Sequence, residues 1–284
     1  MLIKKTCGDV TEFKAARTLL GRPVYITHFF YLHGLLIDTG PRHNAREVFE
    51  ALRNLPLEKV VITHQHEDHT GNCNMLSREM GVPVYAHPET IRVMSSPPDI
   101  EIYRKIMWGD SPPAEAFPLG QSVSAGPYTL QAIHTGGHSK DHVCYYEPSN
   151  GWLFSGDLYL GENLTGFMIG ENIVEHLTSL QKLIALKPNL LFCGLKGRLD
   201  NGTERLKRKY DCWWDLCTRV TDLYEAGKSH REIFSKVFGR EILFYYFSQS
   251  NWGRRYMLRS IINNIEYFKA AQKKESLSGF SQNL

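Results

Sequence analysis

The strongest constraint on this chain is a cluster of three histidines and two acids that fills six residues, His64 to His69, in "VVITHQHEDHTGN". The cluster ends "KVVITH", a β-branched run that predicts a short buried strand. Imidazole and carboxylate groups are the ligands that suit zinc, iron or manganese. One loop cannot complete a coordination sphere, so the fold must bring further ligands to this strand end from elsewhere.

The spacing within the cluster favours two adjacent metals over one. His64 and His66 lie two residues apart, so both can face the same side of an extended loop. Asp68 and His69 follow at an offset that lets a tight turn present a second pair to a neighbouring position. We therefore expect a site with two groups of ligands.

Two later segments offer further ligands. His138 in "IHTGGHSKDH" and Asp157 in "LFSGDLYLG" each follow a predicted strand. Predicted strands and helices alternate up to about Gly197, which favours an α/β layered core. Because folds of this class commonly place their chemistry at strand ends, both residues are candidate ligands.

Two stretches depart from this alternation. Prolines and glycines break the pattern over residues 95–127, which predicts a surface excursion from a domain of residues 1–200. Its aromatic part, Tyr103 to Trp108, would be a lid over the metals or a contact within a homodimer, and the sequence leaves both open. Residues 201–284 are helical in period and richer in basic residues, which predicts a C-terminal helical segment packed on the core.

Composition excludes several classes of protein. The net charge of +3 is too small to argue for nucleic acid or membrane binding by itself. The sequence shows no signal peptide at its N-terminus and no apolar run long enough to span a bilayer. Its six cysteines lack C-x-x-C spacing and favour reduced thiols. We therefore expect a cytoplasmic globular protein.

Four motifs, taken together, resemble those of the metallo-β-lactamase superfamily. "THQHEDHTGN" is similar to its H-x-H-x-D-H signature, and "IHTGGHS" to its T-P-G-H-S/T motif, with Gly136 in place of proline. "LFSGD" resembles F-x-G-D, and "LLIDTG" resembles an early strand that ends in aspartate. The matches occur in order from Leu35 to Gly197. The resemblance implies an α/β fold of the αββα four-layer type, with a metal site at one edge of its two sheets.

The resemblance also implies roles for individual residues. It implies two sets of ligands, namely His64, His66 and His138 for a first metal, and Asp68, His69 and the bridging Asp157 for a second. Asp38 would support a ligand from outside the coordination sphere. His142 would either do the same or cap the next strand, and both remain open.

One motif departs from the family pattern. The superfamily usually supplies a late histidine from a G-H-G element, but this chain has "FCGLKG", with Leu195 or Lys196 at that place. The second metal would then keep an extra water, or the Lys196 ammonium would partly replace the charge of the cation. Because the other ligands of the second metal survive, the first outcome is favoured. The resemblance thus implies one or two metals, with zinc preferred over iron or manganese.

The ligand set predicts a metal-dependent hydrolase that acts on an ester, thioester, lactone or phosphodiester of a small-molecule substrate. Asp68 would orient the metal-activated hydroxide or take its proton. A nucleic-acid phosphodiesterase is the first alternative, since the basic run "KGRLDNGTERLKRK" could follow phosphates. An iron-dependent oxidoreductase and a scaffold that has lost the reaction are the others.

Overall fold

Two β-sheets between two layers of helix build the fold. The computed structural model describes residues 1–19, 22–163 and 165–281. The strands are β1 Leu2–Cys7, β2 Val10–Leu19, β3 Arg22–Leu32, β4 Leu35–Ile37, β5 Lys59–Val61, β6 Val84–Ala86, β7 Phe117–Pro118, β8 Ser122–Ala125, β9 Tyr128–His134, β10 Val143–Glu147, β11 Trp152–Gly156, β12 Phe167–Met168, β13 Leu190–Cys193, β14 Gly197–Asp200 and β15 Trp252–Gly253. The α-helices are α1 Ala45–Leu52, α2 Glu67–Thr70, α3 Cys73–Glu79, α4 Pro88–Ser95, α5 Ile102–Met107, α6 Ile173–Ala185, α7 Gly202–Glu225, α8 His230–Val237, α9 Leu243–Phe247, α10 Arg254–Asn263 and α11 Ile265–Ser281.

The first sheet runs from β1 to β7 in sequence order. Its strands are antiparallel up to β4, and β4, β5, β6 and β7 are parallel to one another. Parallel neighbours end at the same edge of a sheet. Asp38, which follows β4, and His64, which follows β5, therefore emerge side by side.

The second sheet has the order β14-β13-β11-β10-β9-β8. All neighbours in it are antiparallel except β11 and β13, which are parallel. Asp157 follows β11 at the same edge as the cluster of the first sheet. The backbone N–H of Val143 donates to the carbonyl of Thr63 at 2.7 Å and joins the two sheets there.

Three hydrophobic clusters separate the layers. Phe30 of the first sheet meets Phe154 and Phe192 of the second, with ring centroids 5.6 and 5.4 Å away, in the cluster between the sheets. A second cluster lies between the first sheet and α1, where Val48 and Leu52 are buried four residues apart. The third lies between the second sheet and α6 with the C-terminal helices. The αββα order predicted from the resemblance is confirmed.

The start of α6 is fixed by a side-chain cap. The Asn172 carboxamide oxygen accepts from the backbone N–H groups of Val174 and Glu175, at 2.9 and 3.3 Å. Leu177 and Leu180 then bury one face of the helix against the second sheet. This cap also fixes the turn that carries Glu171, whose carboxylate lies 3.5 Å from His138 Nδ1.

Residues 95–127 are more ordered than the sequence predicts, because they contain α5, β7 and β8. Tyr103 and Trp108 are buried, and the Trp108 ring meets the ring of Tyr25 edge to face at 5.1 Å. Residues of β3 and α9 cover the apolar faces of these aromatics, and the excursion over residues 95–127 stays a prediction. Lid and dimer-contact roles stay predictions.

The C-terminal helices share a hydrophobic cluster with the second sheet. Leu206 and Trp213 of α7 are buried in the same cluster as Leu191 and Leu177. A two-stranded sheet pairs Phe167 of β12 with Gly253 of β15 and is a second contact between the C-terminal segment and the rest of the chain. The boundary near residue 200 stays a prediction. No helix in the described ranges is long and apolar enough to cross a membrane.

Candidate metal centre

The structure brings all six predicted ligands to one edge of the two sheets. The first three form the histidine set, in which His66 Nδ1 lies 2.9 Å from His64 Nε2 and 3.1 Å from His138 Nε2. The other three, Asp68, His69 and Asp157, form the carboxylate set. His69 Nε2 lies 3.5 Å from Asp68 Oδ2 and 3.4 Å from Asp157 Oδ1. The two sets adjoin, since Asp157 Oδ2 is 3.8 Å from His138 Nε2.

Hydrogen bonds behind His64 fix which ring nitrogen faces the site. The Thr63 hydroxyl donates to the Asp38 carboxylate at 2.8 Å, so its oxygen is free to accept. The Nδ1–H of His64 can then donate to this oxygen at 3.0 Å. This tautomer leaves Nε2 of His64 unprotonated toward the site, as a metal ligand requires.

Asp38 supports His69 in the same way. Its Oδ2 accepts from His69 Nδ1–H at 2.7 Å, and its Oδ1 accepts from the backbone N–H of Thr63 at 2.8 Å. The left-handed backbone at Asp38, with φ of 63°, turns the chain out of β4. These contacts support a role of Asp38 in orienting His69, and that role stays a prediction.

His142 holds the loop that carries Asp157. Its Nε2 accepts from the backbone N–H of Asp157 at 3.1 Å, so Nδ1 carries the proton and donates to Thr135 Oγ1 at 2.8 Å. Of the two roles that the sequence left open for His142, these contacts favour support of a ligand.

Glu171 is a functional candidate that sequence reasoning missed. Its carboxylate lies 3.5 Å from His138 Nδ1 and accepts from His176 Nε2–H at 2.9 Å. The backbone N–H of Met168 also donates to it at 2.9 Å. Glu171 therefore orients His138 as Asp38 orients His69. No motif surrounds it, so only its position before a capped helix could have drawn attention.

Burial and charge set the protonation of the histidine set. Burial lowers the pKa of His64 well below 6.5, and the neighbouring rings of His69 and His66 lower it further. Burial also lowers the pKa of His66 well below 6.5, together with His138 and the Arg104 guanidinium. Both rings are therefore neutral at physiological pH, which is the ligating state of imidazole.

The carboxylate set attracts positive charge. Burial alone would lower the pKa of His69, but the carboxylates of Asp68, Asp38 and Asp157 outweigh it and raise that pKa well above 6.5. Burial likewise opposes ionisation of Asp157, yet the field of His69 lowers its pKa to about 2. The space between these groups therefore stabilises a cation, either a proton on His69 or a metal.

The residues present fit a metal. Donor atoms of His64, His66 and His138 lie within 4.8 Å of one another, as do those of His64, His69 and Asp157. Nε2 of His69 is buried and has no hydrogen-bond partner in the part of the chain that the structure describes. An unsatisfied buried nitrogen beside two carboxylates is expected of a ligand without its ion.

Two hydroxyl groups reach Asp68 from β3. Tyr25 Oη and Thr27 Oγ1 each donate to Asp68 Oδ2 at 3.2 Å. Burial and the carboxylates of Asp68 and Asp157 raise the pKa of Tyr25 well above 10, so its hydroxyl keeps the proton in the metal-free protein. No sequence signal indicated this contact, because 43 residues separate Tyr25 from Asp68.

Neither residue at the place of the family's late histidine reaches the carboxylate set. Leu195 packs against the hydrophobic cluster behind the second sheet, and Lys196 is exposed near Gly161. Among the described residues, Asp157 is paired with His69 and His138 and not with Lys196. This geometry favours the alternative in which Lys196 takes no part.

A groove of about 700 Å³ opens onto the histidine set at His66 and His138. Arg104 of α5 forms part of its wall, held by Glu67 at 2.7 Å. Asn251 also lines the groove and donates to Glu101 at 2.7 Å. The groove is wide enough for a small molecule to approach the ligands.

The αββα sandwich and the clustered ligands define a metal-binding protein of the metallo-β-lactamase fold. The model of the metallo-beta-lactamase superfamily matches residues 33–195, which is more than half of the chain. The chain belongs to this superfamily. A beta-lactamase domain protein from Burkholderia ambifaria has the same fold, with a TM-score of 0.70 at 17% identity over 95% of this chain and 88% of that one.

Curated relatives include named hydrolases. A "Beta-lactamase-like protein 2 homolog" from Caenorhabditis elegans is 27% identical over 88% of this chain and 77% of its own length. "Atrochrysone carboxyl ACP thioesterase" of Aspergillus fumigatus is 29% identical over 72% of this chain and 62% of its own. A "Hydroxyacylglutathione hydrolase" of Bdellovibrio bacteriovorus is 29% identical over 55% and 54%. The chain thus spans less than two thirds of the length of each of the last two. These relatives confirm the predicted class of metallo-β-lactamase-fold enzyme.

Proposed function

We propose that the protein is a zinc-dependent hydrolase that cleaves a small-molecule acyl thioester. The observation that carries this proposal is the convergence of the histidine set and the carboxylate set beside one groove. Imidazole and carboxylate ligands suit zinc. Relatives named as a thioesterase and as a hydroxyacylglutathione hydrolase support a thioester over the other substrates expected from the sequence.

Different residues of the chain have different roles in the proposed hydrolysis. When bound, the metal supplies Lewis acidity and lowers the pKa of water, so that hydroxide is available near neutral pH. Asp68, which accepts a hydrogen bond from Thr27, orients the attacking oxygen and accepts its proton. Asp38 and Glu171 keep the ligating rings in place, so that little reorganisation accompanies attack.

A thioester suits this site because of its leaving group. Attack forms a carbon–oxygen bond, and the carbon–sulfur bond then breaks to release a thiolate. A thiol has an ordinary pKa of about 8.5, so the thiolate can leave without a strong proton donor. An alkoxide would need such a donor.

The nucleic-acid alternative gains no support from the basic run. Arg205 and Arg208 both contact Glu162, at 3.4 and 2.8 Å, and Arg198 contacts Asp200 at 2.8 Å. These guanidinium groups are paired with carboxylates of the protein, which reduces the positive charge that they offer to phosphates. We therefore do not propose a nuclease.

The test is a substrate panel with metal analysis on the same sample. We expect a model acyl thioester to be hydrolysed at a rate that changes little with salt, and Asp68→Ala to remove that activity. Cleavage of single-stranded nucleic acid that falls steeply with added salt would replace the proposal by the nuclease alternative. Iron as the native metal, with oxygen uptake and no thioester cleavage, would replace it by the oxidoreductase.

A further inference from the structure

The carboxylate set lacks one protein ligand that a four-coordinate metal would take. Asp68, His69 and Asp157 supply three donors, and the family's late histidine is absent. A Cβ atom at Gly194 would collide with Asp157 Oδ1, so the loop after β13 passes directly against the site before Leu195 turns away. A fourth donor must come from another element or from solvent.

We propose that the Tyr25 hydroxyl oxygen is this fourth ligand, so that a phenolate completes the second metal position. The inference rests on the proposed metal centre and extends it to a residue type that the histidine and carboxylate motifs do not contain. Tyr25 lies on β3, well before the cluster at His64 to His69.

Three distances between donor atoms agree with the spacing of ligands around a tetrahedral ion. Bonds of about 2.0–2.1 Å place tetrahedral ligands about 3.3 Å from one another. Tyr25 Oη lies 3.2 Å from Asp68 Oδ2, which lies 3.5 Å from His69 Nε2. His69 Nε2 in turn lies 3.4 Å from Asp157 Oδ1. The phenol oxygen thus stands at ligand spacing from a donor of the set.

The backbone explains why β3 can replace the late loop. The backbone N–H of His28 donates to the carbonyl of Gly194 at 2.6 Å, so β3 runs beside the segment from which the histidine would come. The Tyr25 ring is held edge to face against Trp108 at 5.1 Å. Thr27 fixes the same carboxylate oxygen that Tyr25 contacts, at 3.2 Å.

Binding of the metal by Tyr25 would release one proton from the phenol. The phenolic oxygen–hydrogen bond breaks as the oxygen–metal bond forms, and the proton passes to water. Metal uptake should therefore release one proton more from the wild-type protein than from Tyr25→Phe.

The test compares three variants on one strand by titrating the metal-free full chain with zinc. Tyr25→Phe removes the proposed ligand, whereas Thr27→Val removes only a hydrogen bond to Asp68. Tyr31→Phe removes a hydroxyl that donates to the Pro56 carbonyl, at 3.4 Å, and serves as the matched control. We expect the second equivalent of zinc to bind at least about tenfold more weakly to Tyr25→Phe than to Thr27→Val. The reason is that Thr27→Val loses only a hydrogen bond to a ligand and not a ligand itself. Tyr31→Phe should bind two equivalents like the wild type.

A spectroscopic measurement separates ligation from hydrogen bonding. The ferric form of the wild-type protein should show the visible charge-transfer band of an iron phenolate, and this band should vanish in Tyr25→Phe. Equal weakening in Tyr25→Phe and Thr27→Val, with no band in the wild type, would show that Tyr25 only donates to Asp68. If the wild-type protein still binds two equivalents of zinc in that case, the proposed function stands and only the role of Tyr25 as a ligand is wrong. If the wild-type protein binds no zinc, both proposals are wrong.

Discussion

The histidine set and the carboxylate set hold their ligands by different physical means. In the histidine set, neutral imidazoles are oriented by tautomers that Thr63 and Glu171 fix. In the carboxylate set, the clustered charges of Asp68 and Asp157 around His69 attract a cation. The comparison teaches that the first site depends on ring orientation and the second on charge balance. Substitutions around the histidine set should therefore weaken binding of the first metal equivalent, and substitutions around the carboxylate set should weaken binding of the second.

Removal of a ligand from the histidine set should have the largest effect. In His66→Ala the first metal loses the nitrogen that lies between those of His64 and His138. We expect His66→Ala to lose metal and activity together, with the rate of thioester hydrolysis lower by more than about 10²-fold. This loss is larger than the one expected for a residue that only orients a ligand. Elemental analysis and kinetics on the same preparation check this. Turnover retained by the metal-poor variant would place the chemistry elsewhere.

Two amide substitutions should sharpen the comparison. Glu171→Gln weakens the partner of His138, and Asp38→Asn places an amide N–H against a donor, since both oxygens of Asp38 accept N–H bonds. We expect each to lower metal affinity by about 10–100-fold, Glu171→Gln at the first equivalent and Asp38→Asn mainly at the second. Calorimetric titration of the metal-free protein measures both steps. Identical titration curves for Glu171→Gln and Asp38→Asn would mean that the histidine set and the carboxylate set do not bind their metals independently.

A buried lysine near both sets predicts a pH-dependent stability. Lys209 is fully buried, and burial lowers its pKa to about 8 from 10.5, although Glu171 and Asp157 oppose this. Between these values the unfolded chain binds more protons, so the free energy of unfolding should rise with pH, by at most about 3 kcal/mol. Below pH 8 both states are protonated and the burial cost of the cation is fully present.

Lys209→Met should lack this rise when unfolding by denaturant is measured between pH 7 and 10.5. Lys207→Met on the exposed face of α7 serves as the matched control and should keep the wild-type slope. A parallel rise in Lys209→Met would assign the pH dependence to other groups.

The smallest effect is expected at the place of the missing histidine. Lys196 is exposed, so Lys196→Ala should leave both metal equivalents and the rate of hydrolysis within about twofold of the wild type, as for other surface changes. Metal titration and kinetics check this. Selective loss of the second equivalent would restore the alternative in which the ammonium replaces a ligand.

The sequence predicts the αββα fold and the meeting of His64, His138 and Asp157, because each follows a recognisable strand at a shared sheet edge. It does not predict Tyr25, Glu171 or Lys209, whose contacts depend on how distant elements pack. The clearest signal belonged to Lys209, a cation within the apolar stripe of α7 between Leu206 and Trp213.

The N-terminal hairpin of β1 and β2 also escaped sequence analysis. Most side chains of β1 are exposed, so this edge strand "LIKKTC" lacks the apolar alternation that marks a half-buried strand. β1 is held instead by six residue pairs with β2 and by the turn at Gly8, and β2 is held by ten pairs with β3. The single-sequence pattern carries little of that information.

The hydrogen bond from Lys209 to the Leu158 carbonyl, at 2.5 Å, links the metal centre to the order of protein synthesis. Every predicted ligand has been translated by residue 157, and His142 already holds the loop of Asp157. The turn that follows Asp157 gains its further anchor, Lys209, only when α7 has been made. We therefore expect the last third of the polypeptide to complete the support of the carboxylate set.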